Sequence, residues 1–282
     1  MLRNTFIHLP GIGPHRERTL WNQGVLDWNR FLEAIKNGVL RQGVYESAAP
    51  LVCQSMDAVA AGDAGFFHDR LPSRESWRLY PEFADRALFL DIETTGLSPD
   101  YNEVTVIGAF GGGQLAVFVN GINFDEFPAY IQQFPLLVTF NGSLFDVPFL
   151  RAHFPHARLD QAHIDLRFPL AALGYRGGLK AVERKLGLAR DSAIRDVDGF
   201  EAVWLWSRYR RGDREALRKL LLYNLTDVVN MVELVETTVR LKQPQTAFPG
   251  VVSAREPLAE RKFDARSLGP WIEETLSSWG QA

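Results

Sequence analysis

From Ala87 onward the sequence changes its grammar, and that change limits the possible folds more than any other feature. Ala87-Leu88-Phe89-Leu90-Asp91-Ile92 is a short apolar run of the kind a buried strand presents. Residues 104–110 read as a second strand, Gly111-Gly112-Gly113 turns the chain, and residues 115–119 return as a third. Such short connections predict an antiparallel meander. Residues 124–134 read as a helix, and residues 136–140 as a fourth strand stopped by Asn141-Gly142. A helix follows through 149, with Pro148 tolerable only in its first turn. A fifth strand ends near Ile164-Asp165, and the periodicity is then helical over 179–186, 200–209 and 213–241. This succession predicts an α/β chain: a mixed five-stranded sheet flanked by helices.

The N-terminal third reads as helical and irregular. Leu9-Pro10-Gly11-Ile12-Gly13-Pro14 is a tight turn feeding a helix, with Pro14 suited to a first helical turn. A second helix begins near Asp27, and a third covers 45–61. Leu71-Pro72-Ser73 and Tyr80-Pro81 then punctuate the chain. The expected organisation is a small helical N-terminal region (1–84), an α/β domain (85–241) and a C-terminal tail (242–282). The tail reads as extended around Pro244, Pro249 and Gly250, with a last helix starting at Pro270.

The 282 residues suffice for a core without covalent staples, and 46% hydrophobic with 23% charged residues is a globular composition. One cysteine, Cys53, excludes an intrachain disulfide and a cysteine-based zinc site. A reducing, cytoplasmic setting is expected, with no signal core at the start and no run long enough to span a bilayer. A net charge of −3 excludes a uniformly basic nucleic-acid coat but leaves room for a local basic groove.

Three stretches carry acids where chemistry could use them. Asp91 and Glu93 share one face of a strand, and two such acids repel unless a cation compensates. Asn141-Gly142-Ser143-Leu144-Phe145-Asp146 follows a strand; taken alone, Asp146 reads as a helix-capping aspartate. Tyr223 and Asp227 stand at i and i+4 in a strongly apolar helix, where an aspartate is costly unless it faces a polar site. Together the stretches offer four hard oxygen ligands, Asp91, Glu93, Asp146 and Asp227. Such a set suits two divalent cations, Mg²⁺ or Mn²⁺, and phosphodiester hydrolysis.

The three stretches resemble the three motifs of the DEDD (DnaQ-like) 3′–5′ exonucleases of the ribonuclease H-like superfamily. Asp91-Ile92-Glu93-Thr94-Thr95-Gly96-Leu97 is similar to the first motif, Asn141-Gly142 through Phe145-Asp146 to the second, and Tyr223-x-x-x-Asp227 to the third in its tyrosine branch. Gly177-Gly178-Leu179-Lys180 with Leu186-Gly187 resembles the helix before the third motif, and the whole chain, including Trp77-Arg78-Leu79-Tyr80, looks most like the bacterial YprB-type subfamily. The resemblance implies a ribonuclease H-like fold, with Asp91 bridging two metals and Glu93 and Asp227 completing the first site. It implies that Asp146 holds the second metal and that Tyr223 orients the attacking water. Asp165 matches none of the motifs and reads as structural.

Residues 176–219 are locally basic, with twelve Lys and Arg against seven Asp and Glu. Lys180, Arg184, Arg210 and Arg211 are candidate phosphate contacts. Trp204, Trp206 and Tyr209 are interleaved; rings can stack unpaired bases, although core packing is the commoner use of such aromatics. Gly11-Ile12-Gly13 resembles half of a helix-hairpin-helix, which implies phosphate binding by Gly11 and Gly13; a purely structural turn is the competing reading. The expected activity is a metal-dependent 3′–5′ exonuclease on single-stranded DNA or RNA. The alternatives are a ribonuclease H-type endonuclease and a non-catalytic nucleic-acid-binding protein.

Overall fold

The computed structural model describes residues 1–41, 43–188, 190, 194, 197, 199–250 and 265–279. Its centre is β1 (Ala87–Thr94). β2 (Val104–Gly111) pairs antiparallel with β1, and β3 (Gln114–Val119) antiparallel with β2. On the other side β4 (Leu136–Thr139) runs parallel to β1, and β5 (Ala162–Asp165) parallel to β4. The order is β3-β2-β1-β4-β5, the mixed five-stranded sheet the sequence predicts.

Alternation along β1 divides the interior into two cores. Leu88, Leu90 and Ile92 face one cluster, which holds Phe127 and Ile131 of α6 (Phe127–Ile131) and Phe149 and Leu150 of α7 (Asp146–His153). Ala87 and Phe89 face the other, which holds Leu220, Leu221, Leu225 and Val228 of α11 (Arg214–Gln245). Each fully buried aliphatic or aromatic side chain contributes roughly 1.5–3 kcal/mol. Because side chains alternate, Asp91 and Glu93 share the α11 face with Phe89.

The other helices are α1 (Pro14–Asn22), α2 (Trp28–Lys36), α3 (Gly43–Ala61), α4 (Gly65–His68), α5 (Tyr80–Phe83), α8 (Arg167–Ala172), α9 (Leu179–Leu186), α10 (Gly199–Tyr209) and α12 (Ala265–Trp279). The N-cap of α2, Asp27, accepts a hydrogen bond from Arg30 N, and Asp213 caps α11 by accepting from Ala216 N. Gly187, at φ +76°, ends α9 in the left-handed conformation that glycine adopts freely.

The N-terminal region shares the α11-side core with the sheet: Leu2, Phe6, Trp21 and Trp77 join the same cluster as Phe89 and Leu220. Its entry is pinned by a buried ion pair. Glu17 accepts from Arg78 Nη1 at 2.9 and 3.0 Å and from Phe6 N at 2.7 Å, which satisfies an otherwise costly buried charge.

Two expectations at the C-terminal end are corrected. α11 runs through Pro244 to Gln245 instead of giving way to an extended segment. Proline there removes one N–H but lies in the last turn, where little helix remains to be broken. α12 begins at Ala265, with Pro270 inside it rather than at its start. Proline favours a first turn, but burial of Leu268 and Ile272 in the shared core carries the helix past it. The expected tail residues 251–264 and 280–282 lie outside the described residues. Among the described residues no helix is long and apolar enough to cross a membrane.

Candidate active site

The sheet puts the acids where the helix covering it can reach them. Asp91 lies opposite Gly108 on β2, and the ladder shifts register just after Glu93. A Cβ on Gly108 would stand 2.0 Å from Asn224 Oδ1, so the glycine lets α11 approach the strand. Asn224 Nδ2 then donates to both the carbonyl oxygen of Asp91, at 3.1 Å, and its Oδ2, at 2.9 Å. This contact fixes the register of α11 and brings Asp227 to the strand acids. One carboxylate oxygen each of Asp91, Glu93 and Asp227 lie within 4.8 Å of one another.

Asp146 opens α7 and lines the same cavity of about 460 Å³ as those three acids and Tyr223. The loop before it is held by Asp165, which accepts from Asn141 N at 2.7 Å, Ser143 N at 3.1 Å and Ser143 Oγ at 2.6 Å. Asp165 is thus a scaffold residue, as the sequence suggests. Asn141 takes φ +68°, and a Cβ on the next residue, Gly142, would meet Thr139 Oγ1 at 2.3 Å. The polar loop therefore folds tightly onto the end of β4.

Crowded acids out of water resist ionisation. Burial, then Asp227, Asp146 and Glu93, raise Asp91 well above the usual carboxylate range. Burial and then Asp227 do the same to Glu93. Asp146 is pushed up to about 7, chiefly by burial and against hydrogen bonds from its own backbone and that of Ile92. Asp227 rises to about 6, burial outweighing the opposing charge of Arg190. Burial and then Asp227, Glu93 and Asp91 raise the Tyr223 hydroxyl, so it remains a protonated donor at neutral pH.

Three partners of this cluster are not singled out by the sequence as site residues: Asn224, Arg190 and Glu183. The Arg190 side chain is buried, with Nη2 in ion-pair contact with Asp227 Oδ1 and Nε donating to Glu183 at 2.6 Å. Asn230 also holds Glu183, at 2.8 Å. The Arg190–Asp227 contact has the distance of an ion pair but not the angles of a hydrogen bond. Arg190 Nη1 and Nη2 and Asp227 Oδ1 thus remain buried without a hydrogen-bond partner. The cluster thus holds a buried carboxylate oxygen that no hydrogen-bond donor satisfies. Donor chemistry agrees: three clustered carboxylate oxygens are hard ligands that fit Mg²⁺ or Mn²⁺.

Of the basic candidates, Lys180 belongs here, its Nζ 4.8 Å from the centre of the Tyr223 ring. Arg184, Arg210 and Arg211 are exposed and do not line the cavity. Arg195, with the nearby acids Asp191, Asp196 and Asp198, lies outside the described residues. Gly11 and Gly13 do not line the cavity either. A Cβ on Gly11, at φ +78°, would meet Val44 Cγ2 at 2.6 Å, and Arg16 Nη1 donates to the Gly11 carbonyl. The turn packs on α3 at Gly11, while a Cβ on Gly13 would have no neighbour within 4 Å.

Comparison with known proteins follows this geometry. A family model described as RNase_H superfamily matches residues 88–239. An uncharacterized protein of Methanocaldococcus jannaschii is 30% identical over 170 residues, covering 53% of this chain and 93% of that relative. A family B DNA polymerase from Pyrobaculum calidifontis superposes with a TM-score of 0.42 at 16% identity, over 57% of this chain. The chain spans 27% of that polymerase's length.

Proposed function

Because the chain belongs to the RNase_H superfamily, whose members are nucleases, we propose that it is a metal-dependent 3′–5′ exonuclease acting on single-stranded DNA or RNA. The observation that carries this reading is the convergence of Asp91, Glu93 and Asp227 within 4.8 Å, with Asp146 and Tyr223 in the same cavity. Bound divalent cations would supply Lewis acidity and an activated water for phosphodiester hydrolysis. Asp91, Glu93 and Asp227 would hold one such cation, and Asp146 would help hold a second. Tyr223 keeps its proton and acts as a hydrogen-bond donor that orients the nucleophilic water. Asn224 positions the Asp91 carboxylate, and Lys180 adds positive charge beside Tyr223 for the approaching phosphate. The tyrosine at the third motif supports the tyrosine branch, and the N-terminal pattern supports the YprB-type subfamily.

The test is purified protein with Mg²⁺ or Mn²⁺ on 5′-labelled single-stranded DNA, RNA and hybrid duplexes. The expected outcome is stepwise shortening from the 3′ end with release of nucleoside monophosphates. It should vanish in EDTA and in folded Asp91→Asn protein. Internal fragments would replace this reading with an endonuclease. Absence of cleavage under every metal condition would overturn it.

A further inference from the structure

The aromatic residues of α10 divide between the core and the solvent. Ala202, Leu205 and Trp206 are buried, and Trp206 packs 5.2 Å from Tyr209. Phe200 is 85% exposed and Trp204 53% exposed. Four residues apart on one helix, these two share a side and stand about 6 Å apart along the axis. Phe200 lines the acid cavity. One further turn along, the Arg208 guanidinium lies 4.6 Å above the Trp204 ring, held by Asp213 at 2.8 Å. Arg210, Arg211 and Arg214 follow, all exposed. The run leads from the acids through two exposed rings to a group of cations.

We propose that this side of α10 is a stacking track for the unpaired bases of a strand whose end lies in the acid cavity. Phe200 receives a base next to the cavity, Trp204 receives one farther out, and Arg210, Arg211 and Arg214 meet phosphates beyond. A single strand has the matching chemistry, flat π faces for the rings and a phosphate at every step for the arginines. An apolar protein segment would leave the arginines unanswered, and a paired duplex keeps its base faces covered. The direction of the strand rests on the nuclease reading above, but base stacking on the rings does not.

Anisotropy titrations of 5′-labelled oligo(dT) in Ca²⁺, with lengths from two to twelve nucleotides, test the track without requiring cleavage. Phe200→Ala should weaken binding of every length about fivefold to a hundredfold, the range known for loss of one base–aromatic stack. Trp204→Ala should weaken only the longer oligonucleotides by a similar factor, and Trp204→Phe should restore most of the loss by keeping a π face. Blunt duplex binding should be insensitive to both alanine variants. Wild-type affinity of the doubly substituted protein for all lengths would overturn the track, as would an equal loss on blunt duplex. Cleavage by a protein whose binding ignores the rings would sink the track alone. Ring-dependent binding by a protein that cleaves nothing would sink the nuclease reading alone.

Discussion

Asp146→Asn should make the metal-free protein more stable at pH 8 while abolishing catalysis. The Asp146 carboxyl titrates near 7 in the folded chain against 3.8 for an unperturbed aspartate, chiefly because burial penalises its charge. The folded chain therefore holds this proton more tightly than the unfolded one. Below about pH 4 both states are protonated and the group contributes nothing. As pH rises from about 4 to 7 the unfolded chain releases its proton first, and folding loses stability throughout that window. The difference between about 7 and 3.8 corresponds to roughly 4 kcal/mol above pH 7. An isosteric neutral amide removes that penalty and can still accept the backbone hydrogen bonds. Urea unfolding in EDTA should show Asp146→Asn more stable than wild type by about 1–4 kcal/mol at pH 8 and no different at pH 4. In thermal melts each kcal/mol should appear as about 2–4 °C. Excess Mn²⁺ should narrow the gap, since a cation at 100 times its dissociation constant stabilises the chain that binds it by about 2.7 kcal/mol and wild type offers one more carboxylate ligand. A variant no more stable than wild type at pH 8 in EDTA, or a gain that persists at pH 4, would refute this reasoning.

Arg190→Ala leaves Asp227 and Glu183 buried without their shared cation, which should cost about 3–5 kcal/mol at pH 8 and less at pH 5, where Asp227 is protonated; denaturant unfolding at the two pH values in EDTA checks the difference. Tyr223→Phe removes a hydroxyl and no charge, so turnover should fall roughly tenfold to a thousandfold while calorimetric Mn²⁺ affinity stays near wild type; an unchanged rate with a lower melting temperature would assign Tyr223 to the core instead. Gly108→Ala drives a methyl to 2.0 Å from Asn224 Oδ1 and 3.2 Å from Val228 Cγ2. It should cost about 1–3 kcal/mol and weaken Mn²⁺ binding with it, and the pair Gly108→Ala with Asn224→Ala should recover part of the stability but not the metal affinity.

β1 to β4 were legible because each announces itself by an apolar run and a turn; β5, Ala162-His163-Ile164-Asp165, carries only a short alternation. Asp91, Glu93 and Asp227 were legible because each stands where an apolar element does not tolerate an acid without a purpose; Asp146 and Tyr223 stood out only through the resemblance of their motifs, and the structure gathers all five in one cavity. Their neighbours were harder to read. Asn224 looks like one polar residue in a long helix until the register places it over Gly108. Its burial inside Leu222-Tyr223-Asn224-Leu225 was the available signal. Arg190 sat among a dozen basic residues of similar appearance, and only its contact with Asp227 distinguishes it. The aromatics of α10 share a spacing that suits core and surface alike, so sequence could not separate buried Trp206 from half-exposed Trp204. At the C-terminal end, proline was read as punctuation where long-range packing overrides it.

The brace between the N-terminal region and α11 bears on how this chain can be cut. Glu75 accepts from both Arg78, at 3.0 Å, and Lys242, at 3.1 Å, and so ties the segment before β1 to the far end of the helix that delivers Tyr223 and Asp227. Tyr80 packs edge-on against Phe89 in β1 itself, with 6.2 Å between the ring centres. A fragment starting at residue 88 would keep every acid of the cavity and lose this fastening. Lys242 would be left beside an apolar wound, and the α11-side core around Phe89 would be open to water. The segment that matches the family, residues 88–239, should therefore be shorter than the unit able to fold: excised, it should be recovered as aggregate where the longer chain is recovered as monodisperse protein.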